Sequence, residues 1–464
     1  VSLIMLLMIL TYHFAGLVAS LGILIYTFLT FLSFWLFGGV LTLPGIAALV
    51  IGIGMAVDSC VITFARIKDE LKENVSLEGA CRKGNHNSFM TIFDSNFTTL
   101  LVAFILFEFG ESSVKGFATM LIISTIVIML IMVFLTRFLL GLFVKTGLFD
   151  NKLNFFIGYK EKKEIKNVPF VKMRKIVYVY LAILIGLGIF TFAKNGLTLG
   201  IDFKGGSSIT VSSNEKLNVK SLEKEIKDLG YKIYDTEIID DYSTTIKVEN
   251  SLGEDEVIKV DKLFSEDYNA KTDIGVVSNV VKKDLVKNAI ISVLLACVGI
   301  ILYVSLRFKF SMAFTSILAL VHDVMLMVIV FSLFKLEVSS IFIAAILSII
   351  GYSINDTIVS FDRIRESIKN TKKGEAKSKE ELQELIDNSL TKVLARSIIT
   401  TLTTLCPVIM LIVMGAHEIM NFNFALLVGL VAGVLSSIFI ACPIWYDFEK
   451  HQIGKPKKKK WYEE

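Results

Sequence analysis

Two polar residues in the last third of the chain lie in the middle of an apolar segment. Asn355 and Asp356 fall between Val338 and Phe361, a run that contains no other charged residue. An ionisable group at the centre of a membrane span costs about 2.5–3.5 kcal/mol to insert, so it usually faces a cavity or a partner and serves a function. The position of Asp356 therefore predicts an intramembrane functional site.

The same motif occurs a second time near the start of the chain. The segment Gly54–Asp69 matches Gly351–Glu366 position by position, and the match places Asp58 opposite Asn355. Both copies end in the same pattern of Phe, Arg, Ile, a basic residue and an acidic residue. This repeat predicts a duplicated membrane bundle with one buried carboxylate in each half.

The repeat continues into the following span of each half. Asp94 in the first half aligns with Arg396 in the second, and each lies near the start of an apolar segment. A further acidic residue, Asp323, lies in another apolar segment beside His322. These residues complete the set of ionisable groups that the sequence places within or near a membrane.

Carboxylates in such positions can carry protons. Burial favours the protonated form of a carboxylate, and a nearby arginine favours its ionised form. A carboxylate that alternates between these states as helices shift would act as a proton relay. The driving force would be the pH gradient and the membrane potential, which is worth about 2.3 kcal/mol per charge per 100 mV.

Structural roles are the alternative for each residue, since a buried polar side chain can cap a broken helix or hydrogen-bond between helices. We favour the ion path for Asp58 and Asp356, and we expect Asn355 to hydrogen-bond across the pseudo-twofold axis. For Arg396 and Asp94 both interpretations stay open, because an arginine at a span end can extend to the interface.

For the neighbouring pair His322 and Asp323 we favour a structural role, although a histidine within a span is a candidate for proton transfer.

The composition agrees with a polytopic helical membrane protein. The chain has 464 residues, of which 54% are hydrophobic, with 35 Phe and only 5 Pro. Several apolar runs of about 20 residues are each long enough to cross a hydrocarbon core of about 30 Å. The chain starts within such a run at Val1, so we expect it to be the later part of a longer protein.

Enzymatic chemistry is not expected. The sequence contains no nucleophile with an adjacent base, no metal-binding cluster and no nucleotide-binding motif, so we predict no catalytic residue, metal or cofactor. The five cysteines show neither metal spacing nor a disulfide pattern and are expected to be packing residues. No nucleic-acid partner is expected.

Eleven spans are predicted, the first of which is partial and ends at a turn around His13. They form two pseudosymmetric halves, residues 1–144 and 176–464, which a basic linker at 145–175 connects. The segment 195–287 is the sizeable polar insertion. Lysine and arginine in short loops mark the cytoplasmic side, so the basic loops and the C-terminus are predicted to be cytoplasmic and the insertion extracytoplasmic.

Within the insertion, strand-like and helix-like patterns alternate. A strand is predicted at Ser207–Val211, helices at Lys220–Leu229 and Glu254–Phe264, and two strands within Ile238–Val248. The order β-α-β-β-α-(β) predicts a small ferredoxin-like α+β domain.

The motifs together resemble those of a known family. The segment around Asp58 is similar to the fourth-span signature of SecD, and Leu199–Gly206, the His322–Asp323 pair and Ile350–Glu366 are similar to signatures of SecF. The whole chain resembles the fused SecD/SecF translocase family of the resistance-nodulation-division superfamily, without the N-terminal part of SecD.

This resemblance implies a function in protein export across the bacterial plasma membrane. Members use a proton or sodium gradient to help move preproteins out of the SecYEG channel, and YajC and YidC are further expected partners. By resemblance, Asp58 and Asp356 match carboxylates of the ion path, and Arg396 matches their basic partner. The sequence does not distinguish H⁺ from Na⁺.

Two other functions stay open. A small-molecule efflux transporter of the same superfamily would need large outer insertions in both halves. A scaffold that only holds the translocon together would not depend on the buried acidic residues.

Overall fold

The fold is that of a multi-pass helical membrane protein. A computed structural model describes residues 1–110, 112–159, 167–371, 378–414, 419–451 and 453. Among these residues, ten helical segments are long and apolar enough to cross a membrane. The helices are α1 (Ser2–Leu36), α2 (Leu43–Lys72), α3 (Leu77–Phe109), α4 (Ser112–Ile128), α5 (Thr136–Lys145), α6 (Leu153–Ile157), α7 (Phe170–Asn195), α8 (Ile201–Lys204), α9 (Val219–Asp228), α10 (Glu254–Asp267), α11 (Asn279–Arg307), α12 (Phe310–Phe334), α13 (Ser340–Lys369), α14 (Lys379–Val413), α15 (Met420–Leu435) and α16 (Cys442–Glu449).

Helix α1 is broken at the turn predicted from the sequence. His13 has φ 51° and ψ −120°, which is not helical. The two arms then fold back on each other, because the Ser20 hydroxyl lies 3.4 Å from the Met5 carbonyl oxygen. Gly16 permits this approach, since a Cβ there would lie 2.1 Å from the Met8 carbonyl oxygen. The eleven predicted spans thus correspond to ten helical segments, of which the first folds back on itself.

The last span of each half contains a π-helical segment. Met129–Leu135 joins α4 to α5, and Ser436–Ala441 joins α15 to α16. Segments of this kind are rare and often occur near functional sites. Their occurrence at corresponding places supports the duplication inferred from the motifs.

The inserted domain has the predicted ferredoxin-like order. Its strands are β2 (Gly206–Ser213), β3 (Ile233–Ile238), β4 (Ser243–Val248) and β5 (Ala270–Val277), and they form an antiparallel sheet in the order β3-β4-β2-β5. With α9 and α10 the chain order is βαββαβ, which is the ferredoxin-like arrangement. Strand β3 begins upstream of the predicted position because it is a largely exposed edge strand without a continuous apolar pattern.

A short parallel pairing attaches this domain to the bundle. Strand β1 (Thr198–Leu199) pairs with β6 (Glu337–Val338), just before α13. On the other side, α11 begins at Asn279, where the Ser278 hydroxyl accepts a hydrogen bond of 3.3 Å from the Val281 N–H. Residues 279–287 of the inserted segment therefore form one helix with the following span.

Gly206 shows why glycine is needed where the domain starts. It has φ +116°, and a Cβ there would lie 2.1 Å from the Val248 carbonyl oxygen of the neighbouring strand. Any side chain would therefore push β2 away from β4.

Part of the predicted linker and tail is not described. Residues 160–166 of the basic linker and the basic run Lys455–Lys460 lie outside the described residues. The cytoplasmic location of the basic loops and of the C-terminus stays a prediction.

Candidate functional site

The two repeated motifs lie on the most enclosed helices of the bundle. In both α2 and α13, 89% of an 18-residue apolar window is buried. Small residues let neighbouring helices approach closely, and Gly54 on α2 packs so tightly on α14 that a Cβ would lie 2.5 Å from the Thr404 hydroxyl. The sequence thus places both motifs at the contact between the halves.

Four of the predicted site residues come together at this contact. Arg396 on α14 lies between the carboxylates, with Nη2 2.6 Å from Asp58 Oδ1 and Nη1 3.6 Å from Asp356 Oδ1. The Asn355 amide donates a 2.9 Å hydrogen bond to Asp58 Oδ2, and this bond joins the two halves. Asp58, Asn355, Asp356 and Arg396 are 3%, 6%, 5% and 5% exposed, so one buried guanidinium serves two buried carboxylates.

The two carboxylates differ in how many of their oxygens accept hydrogen bonds. Both oxygens of Asp58 accept hydrogen bonds. Within the described part of the chain, Asp356 Oδ2, Asn355 Oδ1 and Arg396 Nε are buried without a hydrogen-bond partner. Buried polar atoms are normally paired, so the two oxygens can bind a cation or water, the Asp356 oxygen can also bind a proton, and the Arg396 Nε–H can donate to water or an anion. Asp58 is held in place, and Asp356 is the carboxylate with a free oxygen.

Asp94 lies outside this cluster. It accepts a 2.8 Å hydrogen bond from the Tyr303 hydroxyl and a 2.7 Å bond from Arg307 Nε, and both partners are on α11. The carboxylate therefore joins α3 to α11. The motifs do not predict either partner of Asp94, although Tyr303 and Arg307, four residues apart, lie on one face of α11.

Asp323 belongs to a separate, closed network. Its Oδ2 accepts hydrogen bonds from Ser353 at 2.6 Å and Ser436 at 2.9 Å, and His322 Nδ1 lies 3.0 Å from its Oδ1. The Tyr180 hydroxyl lies 2.9 Å from His322 Nε2. Because both oxygens of Asp323 have partners, the geometry favours a role in joining α12, α13 and the π-helical segment.

Crossed ion pairs connect the ends of α2 and α13. Arg66 pairs with Glu366, and Arg363 pairs with Asp69. These residues occupy matching positions of the two motif copies, so each half supplies an arginine to the acid of the other. Arg66 also lies 3.3 Å from Asp362. The pairs hold the halves together at the end of the bundle that faces away from the α+β domain.

The start of α13 is bound to the α+β domain. Asp202 Oδ2 accepts hydrogen bonds from the Ser340 N–H at 2.7 Å and from its hydroxyl at 2.6 Å. The first of these bonds satisfies one of the backbone N–H groups in the first turn of the helix that carries Asp356. The start of α13 is therefore attached to the segment that enters the domain.

A buried lysine forms a second link between the domain and α13. Lys247 of β4 is 5% exposed and pairs with Glu337 of β6, and its Nζ lies 3.3 Å from Glu237 and 3.4 Å from Asp235. Burial alone would lower the pKa of Lys247, but the Glu337, Glu237 and Asp235 carboxylates raise it above its ordinary value. The lysine thus stays charged and holds β6, which precedes α13.

Comparison with known families identifies similar proteins along nearly the whole chain. The family model described as "Protein export membrane protein SecD/SecF, C-terminal" matches residues 1–146 and 258–451. The "SecD/SecF GG Motif" matches residues 190–215, which include Gly206.

Individual relatives agree with these matches. Protein translocase subunit SecDF of Bacillus subtilis is 41% identical over 472 aligned residues, which cover 98% of this chain and 64% of the relative. Protein translocase subunit SecF of Alicyclobacillus acidocaldarius is 36% identical and covers 58% of this chain and 88% of its own length.

A solved structure has the same fold. The crystal structure of SecDF from Thermus thermophilus, described as a translocon-associated membrane protein, superposes with a TM-score of 0.85 at 31% identity and covers 96% of this chain. This chain covers 60% of the Thermus protein and 64% of the Bacillus relative. It therefore spans a little under two thirds of the length of these relatives.

Proposed function

Because this chain belongs to the SecD/SecF family of protein-export membrane proteins, we propose that it is an ion-driven accessory subunit of the Sec translocase. The observation that carries this proposal is that Arg396 is shared between Asp58 of one half and Asp356 of the other. Uptake and release of H⁺ or Na⁺ at Asp356 changes the charge between the two halves and drives their movement.

The charge balance of the cluster supports such uptake. Two carboxylates and one guanidinium leave one negative charge unpaired in a buried site. Two unit charges about 4 Å apart interact by about 4 kcal/mol at an effective dielectric constant of about 20. An unpaired buried charge is strongly unfavourable, so the cluster favours binding one additional positive charge when it is open to either side.

Helix α13 is the element that transmits the change. Its middle carries Asn355 and Asp356, and its first turn is bound to Asp202 and follows β6. A shift of α13 relative to α2 therefore moves the attachment of the α+β domain. In the proposed mechanism this movement assists the preprotein on the outer side of the membrane.

The names of the relatives, which are protein translocase subunits, support association with the Sec translocon. We propose the SecYEG translocon, translocating preproteins and, as further partners, YajC and YidC. The proposed location is the bacterial plasma membrane, with the α+β domain outside and the basic loops and C-terminus in the cytoplasm.

The test is export by membrane vesicles that contain the full-length protein. Preprotein transport is measured with an imposed pH gradient, with a sodium gradient and with neither. We expect one of the gradients to stimulate transport, and Asp356→Asn to abolish the stimulation. The exposed Asp228→Asn serves as the control and retains it.

The opposite result would indicate a scaffold. If Asp356→Asn protein is present in normal amount and supports the same gradient-stimulated export as the unmodified protein, the ion-driven mechanism is wrong.

A further inference from the structure

Two spans that each pack on α12 are much less enclosed than the rest of the bundle. Only 17% of the apolar window of α7 and 22% of that of α11 are buried. An apolar groove of about 670 Å³ lies between these helices and α12. Ile189, Val293, Cys297, Val324 and Val328 are among the residues that line it. This volume lies within the range of about 300–1,000 Å³ that is usual for small-molecule sites.

The groove lies in the half of the membrane nearest to the α+β domain. Helix α7 ends at Asn195, where the chain enters the domain, and Ile189 is in its last third. Helix α12 ends at Phe334, close to β6, and Val328 is in its second half. Helix α11 leaves the domain at Asn279, and Val293 lies at its midpoint, in the first half of the part that follows the inserted segment. All three helices thus present the groove to the same leaflet.

A cationic surface lies on α11 between the α+β domain and the groove. Lys282, Lys283 and Lys287 line a second depression on α11, of about 500 Å³, together with Val286 and Ile290. At 3.6 residues per turn, positions 286, 290, 293 and 297 follow one face of the helix. The lysine-lined depression and the apolar groove therefore form one continuous stripe along α11.

The lysines in this stripe are available to a ligand. Lys282 Nζ donates a 3.0 Å hydrogen bond to the Lys204 carbonyl oxygen, whereas Lys283 and Lys287 are exposed and form no ion pair within the described residues. The acidic residue Asp284 lies three positions before Lys287 on α11, where the two side chains are neighbours, but the two form no ion pair in the described part of the chain. Lys194 adds a further positive charge at the end of α7, beside the groove residues Phe192 and Ala193.

This arrangement has the chemistry of a phospholipid site. Basic residues between membrane helices bind anionic headgroups, and long lysine side chains at span ends reach the headgroup level. We propose that α7, α11 and α12 bind one anionic phospholipid of the leaflet next to the α+β domain. An acyl chain occupies the groove, and the phosphate lies against Lys283 and Lys287. This site is separate from the Asp58–Asp356–Arg396 cluster.

The test uses native mass spectrometry of the full-length purified protein. The protein is exchanged into detergent with either phosphatidylglycerol, which is anionic, or phosphatidylcholine, which is zwitterionic. We expect retention of one phosphatidylglycerol, and the variant Lys283→Glu with Lys287→Glu should lower that affinity about tenfold or more. Lys259→Glu with Lys262→Glu, exposed on α10 of the domain, is the matched control and should retain the lipid.

A second pair of variants tests the groove independently of charge. Ile189→Trp fills the groove from an exposed position and should displace the lipid, whereas Leu302→Trp, on α11 outside the groove lining, should not. Equal retention of both lipids, or retention unchanged by the glutamate pair, would overturn the proposal. Loss of a copurifying membrane partner in Ile189→Trp, without any bound lipid in the unmodified protein, would also overturn it and indicate a protein-binding groove.

Discussion

Arg396 is hydrogen-bonded to Asp58 at 2.6 Å but lies 3.6 Å from Asp356. Asp58 also receives the Asn355 amide, so its two oxygens are fully bound. Asp356 keeps one buried oxygen without a partner among the described residues. The repeat thus places two carboxylates around one cation, and only one of them has an oxygen without a hydrogen bond. In the proposed mechanism Asp356 is therefore the carboxylate that exchanges the ion.

Substitutions of Arg396 should distinguish the effect of its positive charge from the effect of its guanidinium shape. Arg396→Met leaves buried carboxylates without a cation and should destabilise the protein by about 3–5 kcal/mol. Arg396→Lys keeps the charge, but a single ammonium cannot contact both carboxylates as the planar guanidinium does. We expect Arg396→Lys to fold and to lose gradient-stimulated export, measured by thermal unfolding and by vesicle transport. Full transport activity in Arg396→Lys would show that the shared contact is not needed.

Asp94 should behave as a structural residue. Its carboxylate is bound by Tyr303 and Arg307 and lies apart from the Asp58 cluster. Hydrogen bonds to charged groups contribute about 1.5–3 kcal/mol each, so Asp94→Asn should lower the free energy of unfolding by roughly that amount. Ion-stimulated transport per folded molecule should be unchanged. A variant of normal stability that no longer transports would place Asp94 in the ion path.

Exchanging the charges of one crossed ion pair should first lower and then restore the stability of the protein. Arg66→Glu places a third acid beside Asp362 and Glu366 and should weaken the contact between α2 and α13. Adding Glu366→Arg restores an opposite pair and should recover stability, with a coupling energy of about 0.5–3 kcal/mol in a double-mutant cycle. The absence of coupling in thermal unfolding would mean that the pair does not connect the halves.

Removing the attachment of α13 should uncouple ion movement from export. Asp202→Ala deletes the two hydrogen bonds to Ser340 and should cost about 0.5–2 kcal/mol, as for loss of a helix cap. We expect ion flux to persist and export to fall, measured in the same vesicles. The control is Asp228→Ala, an exposed acid in the same domain. Parallel loss of both activities, or of neither, would contradict the coupling role.

The central cluster could be predicted from sequence because the same motif occurs in both halves, with a polar residue inside an apolar span in each copy. Matching Asp58 with Asn355 shows that both motifs occupy equivalent helices, and apolar surroundings show that they are buried. The ferredoxin-like order of the domain follows in the same way from alternating strand and helix patterns. In each case a local pattern determines the structure.

Other features depend on pairings between distant segments that no local pattern reveals. The partners of Asp94 lie more than two hundred residues away on α11, and the contact of Lys247 with Glu337 requires the β1–β6 pairing. The edge strand β3 begins before the position predicted from the sequence, because half-exposed strands lack a clear alternation. The two π-helical segments are likewise not predicted from the sequence.

Ion flux through the reconstituted full-length protein tests most directly whether the protein conducts an ion through Asp356. Liposomes that contain the unmodified protein, Asp356→Asn or the exposed-site control Asp228→Asn are given a pH gradient or a sodium gradient, and ion uptake is followed with an indicator dye. We expect uptake by the unmodified protein and by Asp228→Asn, and none above empty liposomes by Asp356→Asn. Equal uptake by Asp356→Asn and the unmodified protein would contradict it.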